Sequence, residues 1–204
     1  MIGRVSIKLI RGDIAKVGGG VIMSPTNGKL SRNSGLTTYL VDSAGHRVFM
    51  EMNALKRDNE ELQPGEIAIT SSGNLPAIHL FHTCMPPYNR DDPEPLVRMF
   101  IERVLRRSEE LKVDSVIFPC LPKDAYGFTP EHCAFGYFSG VIDYVEGNSQ
   151  SGLREVKFVT LDKNATEVFK READRRFGVK EKKSFWSFGK KGKKDKVQED
   201  IELH

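Results

Sequence analysis

No apolar run in this chain approaches the roughly 20 residues needed to cross a bilayer, so no membrane-spanning helix is expected. Cysteine is scarce. Cys84, Cys120 and Cys133 are odd in number and form no C-x-x-C pair, which fits a reducing compartment better than a disulfide framework. The signatures G-x-x-x-x-G-K-[ST], G-x-S-x-G and H-E-x-x-H are absent, which removes the commonest sequence routes to a nucleotide triphosphatase, a serine hydrolase or a zinc protease. Met1-Ile2-Gly3-Arg4 leads straight into a strand pattern, without a signal-peptide pattern. A cytoplasmic or nuclear location is the expectation. The bulk of the chain also lacks charge of one sign. Residues 179–204 hold 8 Lys against 5 acidic residues and carry the whole net charge of +3, leaving residues 1–178 neutral. A polyanion-binding role for the body would therefore need local geometry.

A chain of 204 residues with 39% apolar residues is enough for one domain with a core, plus an appendage. Short apolar runs bounded by Gly and Pro read as strands at 4–10, 20–24, 66–72, 77–84, 114–118 and 156–161. Between them lie helical patterns. Leu36, Leu40, Ala44, Val48 and Met52 recur every four residues, with Gly45 set to divide or kink the helix. Val97, Ile101, Val104 and Leu111 mark one face of a helix opened by Pro95. Thr129-Pro130-Glu131 starts another helix, and Gly178 stops a last one over 166–177. Strands separated by long helical segments indicate an α/β layered fold. From Val179 onward Lys dominates without apolar period, which reads as a flexible tail.

Two polar stretches follow the first two strands: Gly12-Asp13-Ile14 and Ser24-Pro25-Thr26-Asn27. In open α/β sheets ligands dock outside the carboxyl ends of strands. These stretches, with Pro64-Gly65-Glu66-Ile67-Ala68-Ile69-Thr70, Ser72-Gly73-Asn74-Leu75-Pro76-Ala77, Phe118-Pro119, Tyr126-Gly127-Phe128 and Asp162, stand in an order and spacing that resembles the macro domain family. The resemblance covers roughly residues 4–178. It implies a three-layer α/β/α fold with a mixed central sheet over 1–178, and ADP-ribose or ADP-ribosylated protein as partner. It implies neither a cofactor nor a metal.

The family resemblance assigns Asp13 and the Ile14 N–H to adenine, since an ionised Asp accepts hydrogen bonds and suits an amino group. Read by position alone, Asp13 is better taken as a turn or cap residue, and the resemblance turns the balance toward adenine. Asn27 matches the family residue at the distal ribose, and is also the first half of an Asn-Gly turn. Gly35 and Leu36 would line the first phosphate loop; Ala125, Tyr126, Gly127 and Phe128 would line the second and the ribose. Tyr126 and Phe128 serve core packing as readily.

Two positions depart from the family pattern. Counting forward from Asn27 and back from Ala44-Gly45 both put Thr37 where the family's hydrolases carry Asp. A neutral Thr cannot activate water as a carboxylate does, and Asp42 sits about 140° round a helix from it. In Pro122-Lys123-Asp124-Ala125, Pro122 lacks an N–H donor and Asp124 brings negative charge toward a diphosphate. The expectation is binding without efficient hydrolysis. A degenerate scaffold and a hydrolase with a rearranged site are the alternatives. His79, His82 and Cys84 share a strand, but only His82 and Cys84 share a face, so core packing is preferred over a metal site. Cys120 has only Lys123 as a basic neighbour, which argues against a nucleophile. Phe185, Trp186 and Phe188 within the Lys-rich tail would suit RNA or an anionic membrane surface, or belong to a solvated tail.

Overall fold

The computed structural model describes residues 4–32, 35–58, 60–85, 93–121, 127–178 and 199–203. The strands are β1 (Ser6–Arg11), β2 (Val21–Thr26), β3 (Ile67–Ser71), β4 (His79–Cys84), β5 (Ser115–Pro119), β6 (Glu155–Thr160) and β7 (Glu199–Leu203). The helices are α1 (Gly35–Ala44), α2 (His46–Asp58), α3 (Glu94–Glu110), α4 (Pro130–Gly147) and α5 (Lys163–Phe177). One sheet runs in the order β3-β4-β2-β5-β6-β1-β7. The five inner strands are mutually parallel, while β3 and β7 are antiparallel edges. The mixed sheet between helical layers is the expected architecture. Within the segment read as a tail, residues 199–203 pair with β1. Residues 179–198, which hold Phe185, Trp186, Phe188 and most of the tail lysines, lie outside the described residues.

Alternation along the strands sends side chains to two different cores. On one face Ile10, Ile22, Leu80, Ile117 and Val159 meet Leu40, Ala44 and Val48 of α1 and α2. On the other, Leu9, Met23, Phe81, Phe118 and Phe158 meet α3, α4 and α5. There Tyr137, Phe138 and Phe169 surround Phe158 at centroid distances of 5.2–5.5 Å, within the range for tilted and edge-on aromatic contacts.

Gly45 divides the first helical pattern in two, as its place in the repeat suggested. Its φ is +92°, and a Cβ there would come within 2.8 Å of the Asn74 side chain. The turn between β3 and β4 docks against that break. Asn74 N–H donates to the Ala44 carbonyl at 2.9 Å, and Gly73, with φ +58°, comes so close that a Cβ would sit 2.0 Å from the same oxygen. α4 starts on a capping box formed by Thr129 and His132, and α5 runs from its Asp162 cap to Gly178 in the left-handed region.

His82, on β4, faces α2 and is fully buried. Its Nε2 lies 3.0 Å from Thr70 Oγ1, which itself donates to the Ser71 carbonyl at 2.9 Å. Thr70 therefore accepts, His82 is the Nε2–H tautomer, and Nδ1 has no partner among the described residues. Burial, with some help from the Lys56 charge and against that of Glu51, pushes the His82 pKa down to about 4. Unfolded, the ring titrates near 6.5, so between those values the unfolded chain binds a proton that the native chain does not. Stability should be full above pH 6.5 and fall by up to about 3 kcal/mol as the pH approaches 4. Urea unfolding at half-unit pH steps should show this slope above pH 5 in the wild type and not in His82→Leu. Equal slopes would remove His82 as the cause.

Candidate functional site at the carboxyl edge of the sheet

Because the inner strands are parallel, their carboxyl ends share one edge of the sheet. Arg11, Thr26, Cys84, Pro119 and Thr160 are the terminal residues of that edge. β2 pairs with β5 only at Val21↔Val116 and Ile22↔Ile117, whereas it follows β4 along all six of its residues, and β5 follows β6 along all five of its own. The sheet therefore forks between β2 and β5 toward the carboxyl edge. After β2 the chain enters α1 on one face, and β5 leads to α4 on the other. A crevice between strands whose connections leave on opposite faces is where open α/β sheets take ligands. Asp13 follows β1 and Asn27 follows β2, three strand spacings away in the sheet, or roughly 14 Å at ~4.8 Å per step.

Asp13 caps the 3-10 turn Ile14–Lys16, its Oδ1 accepting from Ala15 N–H at 3.1 Å. The cap reading is thus realised. The carboxylate has a second partner absent from the sequence reading: the Tyr39 hydroxyl lies 2.7 Å from both carboxylate oxygens. Lys16 Nζ is 3.9 Å away. Ile14 sends its side chain into the core. The Gly12 N–H donates to the Thr160 carbonyl at 3.0 Å, tying the end of β1 to the end of β6, which Leu161 follows. Leu161 is 64% exposed, an apolar surface at the strand end. The sequence signal for it was an apolar residue wedged between a strand end and the helix-capping Asp162.

Asn27 is a loop organiser. Its carbonyl accepts from Leu30 N–H and its Oδ1 accepts from Ser31 N–H at 2.9 Å. A ribose hydroxyl would therefore be met by the Nδ2 donor. Gly28 is required by proximity: a Cβ would lie 2.5 Å from the Leu62 carbonyl.

Gly35 opens α1 and is exposed, with nothing within 4 Å of an added Cβ; Leu36 is half-buried beside it. Thr37 is fully buried, and its hydroxyl donates to the Pro25 carbonyl at the end of β2. That places Thr37 beside the end of β2 and commits its hydroxyl to the backbone. Asp42 points elsewhere and pairs with Arg32 at 2.6 Å.

Of the second loop, Pro122, Lys123, Asp124, Ala125 and Tyr126 lie outside the described residues. Gly127 is exposed with φ +77°, a left-handed conformation that glycine adopts without steric cost. Phe128 is fully buried in the aromatic core, so its ring packs and does not flank the cleft. The reason is its alternation with exposed Gly127 just before α4. Cys120, at the end of β5, is half-buried, and its N–H donates to the Val159 carbonyl at 3.0 Å. The Cys133 thiol is hydrogen-bonded to the Cys120 side chain, and that thiol–thiol bond and burial hold its pKa well above the ordinary range. His82 and Cys84 face the α2 layer, and among the described residues no group of three or more His, Cys, Asp or Glu converges.

Comparison with known proteins decides the family. The macro domain model matches residues 23–135, more than half of the chain. The chain belongs to the macro domain family. An uncharacterised protein of Sulfurisphaera tokodaii is 30% identical over 128 residues, covering 63% of this chain and 70% of that one. An uncharacterised Thermotoga maritima protein is 26% identical over 166 residues, 80% of this chain but only 28% of that longer protein. An O-acetyl-ADP-ribose deacetylase of Cronobacter turicensis is 28% identical over 176 residues, covering 84% of this macro domain chain and 96% of the deacetylase. Among solved structures, the Oceanobacillus iheyensis macrodomain with ADP superposes with a TM-score of 0.78 at 23% identity, covering 86% of this chain and 93% of that one.

Removing the Thr37 hydroxyl leaves the Pro25 carbonyl without that buried donor. Thr37→Val should cost about 1–3 kcal/mol in urea unfolding, and Thr37→Ser clearly less. A valine variant as stable as the wild type would show that the bond contributes nothing.

Proposed function

We propose that this macro domain binds ADP-ribose, or a related adenine-diphosphate-ribose ligand free or attached to protein, across the fork between β2 and β5, without efficient hydrolysis. The observation that carries the reading is the fork itself, with an acceptor carboxylate at one side and an amide at the other. Their separation of roughly 14 Å at the usual strand spacing suits a ligand with two separated polar ends. A single nucleoside is too short for it. Asp13 takes the adenine amine, Leu161 offers an apolar surface for the base, and the Asn27 amide donates to the distal ribose. Gly35 and Gly127 stand where the diphosphate would cross, at a helix start and a left-handed turn, both of which present backbone N–H groups. The solved macrodomain that superposes on this chain holds ADP, which has the same adenine and diphosphate.

Against hydrolysis stands Thr37, neutral and bonded to Pro25. A general base must have a pKa suited to taking a proton, and a hydroxyl does not. The deacetylase among the relatives is the ground for a second reading, a hydrolase with a rearranged site.

Calorimetry on the full chain tests both halves. ADP-ribose should bind with micromolar affinity, and Asp13→Ala should weaken it by tenfold or more. Equal heats from the two proteins would remove Asp13 from the site. Incubation with ADP-ribosylated protein should release no ADP-ribose; release that Asn27→Ala abolishes would establish the hydrolase reading instead.

A further inference from the structure

Tyr39 is one of few large apolar side chains exposed on the described surface, with 42% of its area open to solvent. It belongs to α1, whose buried positions are Thr37, Leu40, Val41 and Ala44, so the core does not hold its ring. What holds it is Asp13. The phenol oxygen is equidistant from the two carboxylate oxygens, 2.7 Å from each. That is the head-on position of the carboxylate, where an incoming donor finds both oxygens at once. The other partners approach from the side: Ala15 N–H on Oδ1 through the turn, and Lys16 Nζ at 3.9 Å from Oδ2. The hydrogen bond to Asp13, then burial and the carboxylate's charge, raise the Tyr39 pKa against a smaller opposing hydrogen bond with Ser43, which keeps the phenol a donor at neutral pH.

We propose that Tyr39 is a displaceable latch on Asp13, holding the place that an adenine amine needs and swinging out when such a ligand binds. The inference rests on the adenine-binding reading of Asp13. It adds a residue that competes with the ligand and so sets affinity, while the choice of base stays with the Asp13 acceptor. A ligand must first open the contact, and its apparent affinity falls by the fraction of molecules in which the contact is open. The opening breaks one charge-assisted hydrogen bond at a half-exposed position, which corresponds to about a tenfold effect. Only a ligand that replaces the lost donor recovers it. An adenine amine does; a hypoxanthine ring, with a carbonyl at the same place, brings an acceptor toward a carboxylate.

The test is calorimetry with ADP-ribose and with its hypoxanthine analogue on the wild type and Tyr39→Phe, which keeps the ring and deletes the donor. Tyr39→Phe should bind ADP-ribose about tenfold more tightly, with no hypoxanthine complex of comparable strength in either protein. Unchanged or weaker ADP-ribose binding would overturn the latch, because a Tyr39 that merely supports Asp13 weakens binding when its hydroxyl is removed. A second readout needs no ligand. In NMR spectra of tyrosine-labelled protein, the Tyr39 phenol should titrate above ordinary tyrosine and return toward it in Asp13→Asn. A normal titration in the wild type also overturns the latch. If no variant binds ADP-ribose while Tyr39 titrates high, the contact stands and the adenine-binding reading of Asp13 fails.

Discussion

Everything at this site depends on the parallel pairing of five strands and on where that pairing stops. Parallel register puts the ends of β1, β2, β4, β5 and β6 on one edge, which is why residues as far apart in sequence as Asp13, Asn27, Gly127 and Leu161 share it. The β2–β5 ladder ends after two residue pairs, and the strands part toward that edge. A sheet zipped to its end would offer a flat rim of turns. The parting leaves strand ends unpaired between the starts of α1 and α4, whose first N–H groups have no partner within their own helix.

Polar side chains at such an edge are built into the fold before they meet any ligand. Asp13 caps a turn and holds Tyr39; Asn27 ties down Leu30 and Ser31; Thr37 fastens α1 to the end of β2. These bonds cost a ligand different amounts. The Thr37 hydroxyl is buried, and breaking its bond would strand a buried carbonyl. The Tyr39–Asp13 contact is half-exposed, so water and a ligand compete for it on closer terms. The exchangeable contact thus lies at Asp13, and the fixed one at Thr37.

Much of this was legible in the sequence, for reasons that separate local from non-local information. Apolar runs, the four-residue repeat through Leu36 to Met52, the break at Gly45 and the cap at Thr129 all depend on neighbours in the chain, and each stands where its pattern placed it. For Thr37 two counts along the sequence met on one position, while its bond to the Pro25 carbonyl is visible only in the fold. Strand order could not be read that way: alternation tells which face a residue takes, not which strand lies beside it. The early end of the β2–β5 ladder, and the meeting of Tyr39 with Asp13 from 26 positions away, are products of that order. Phe128 shows the same limit. Its neighbour Gly127 faces solvent, and the sequence had no means of saying which of the pair the core would take.

A cavity of about 370 Å³ opens beside β3 between Leu30, Leu55, Leu62 and Ala68. It offers a direct alternative to the fork, so the most direct measurement is the one that separates them: a backbone amide NMR titration of the full chain with ADP-ribose. Saturable shifts are expected at Asp13, Ile14, Asn27, Gly35 and Gly127 together, spanning both sides of the fork. Shifts confined to Leu55, Leu62 and Ala68, or none at millimolar ligand, would contradict binding across the fork.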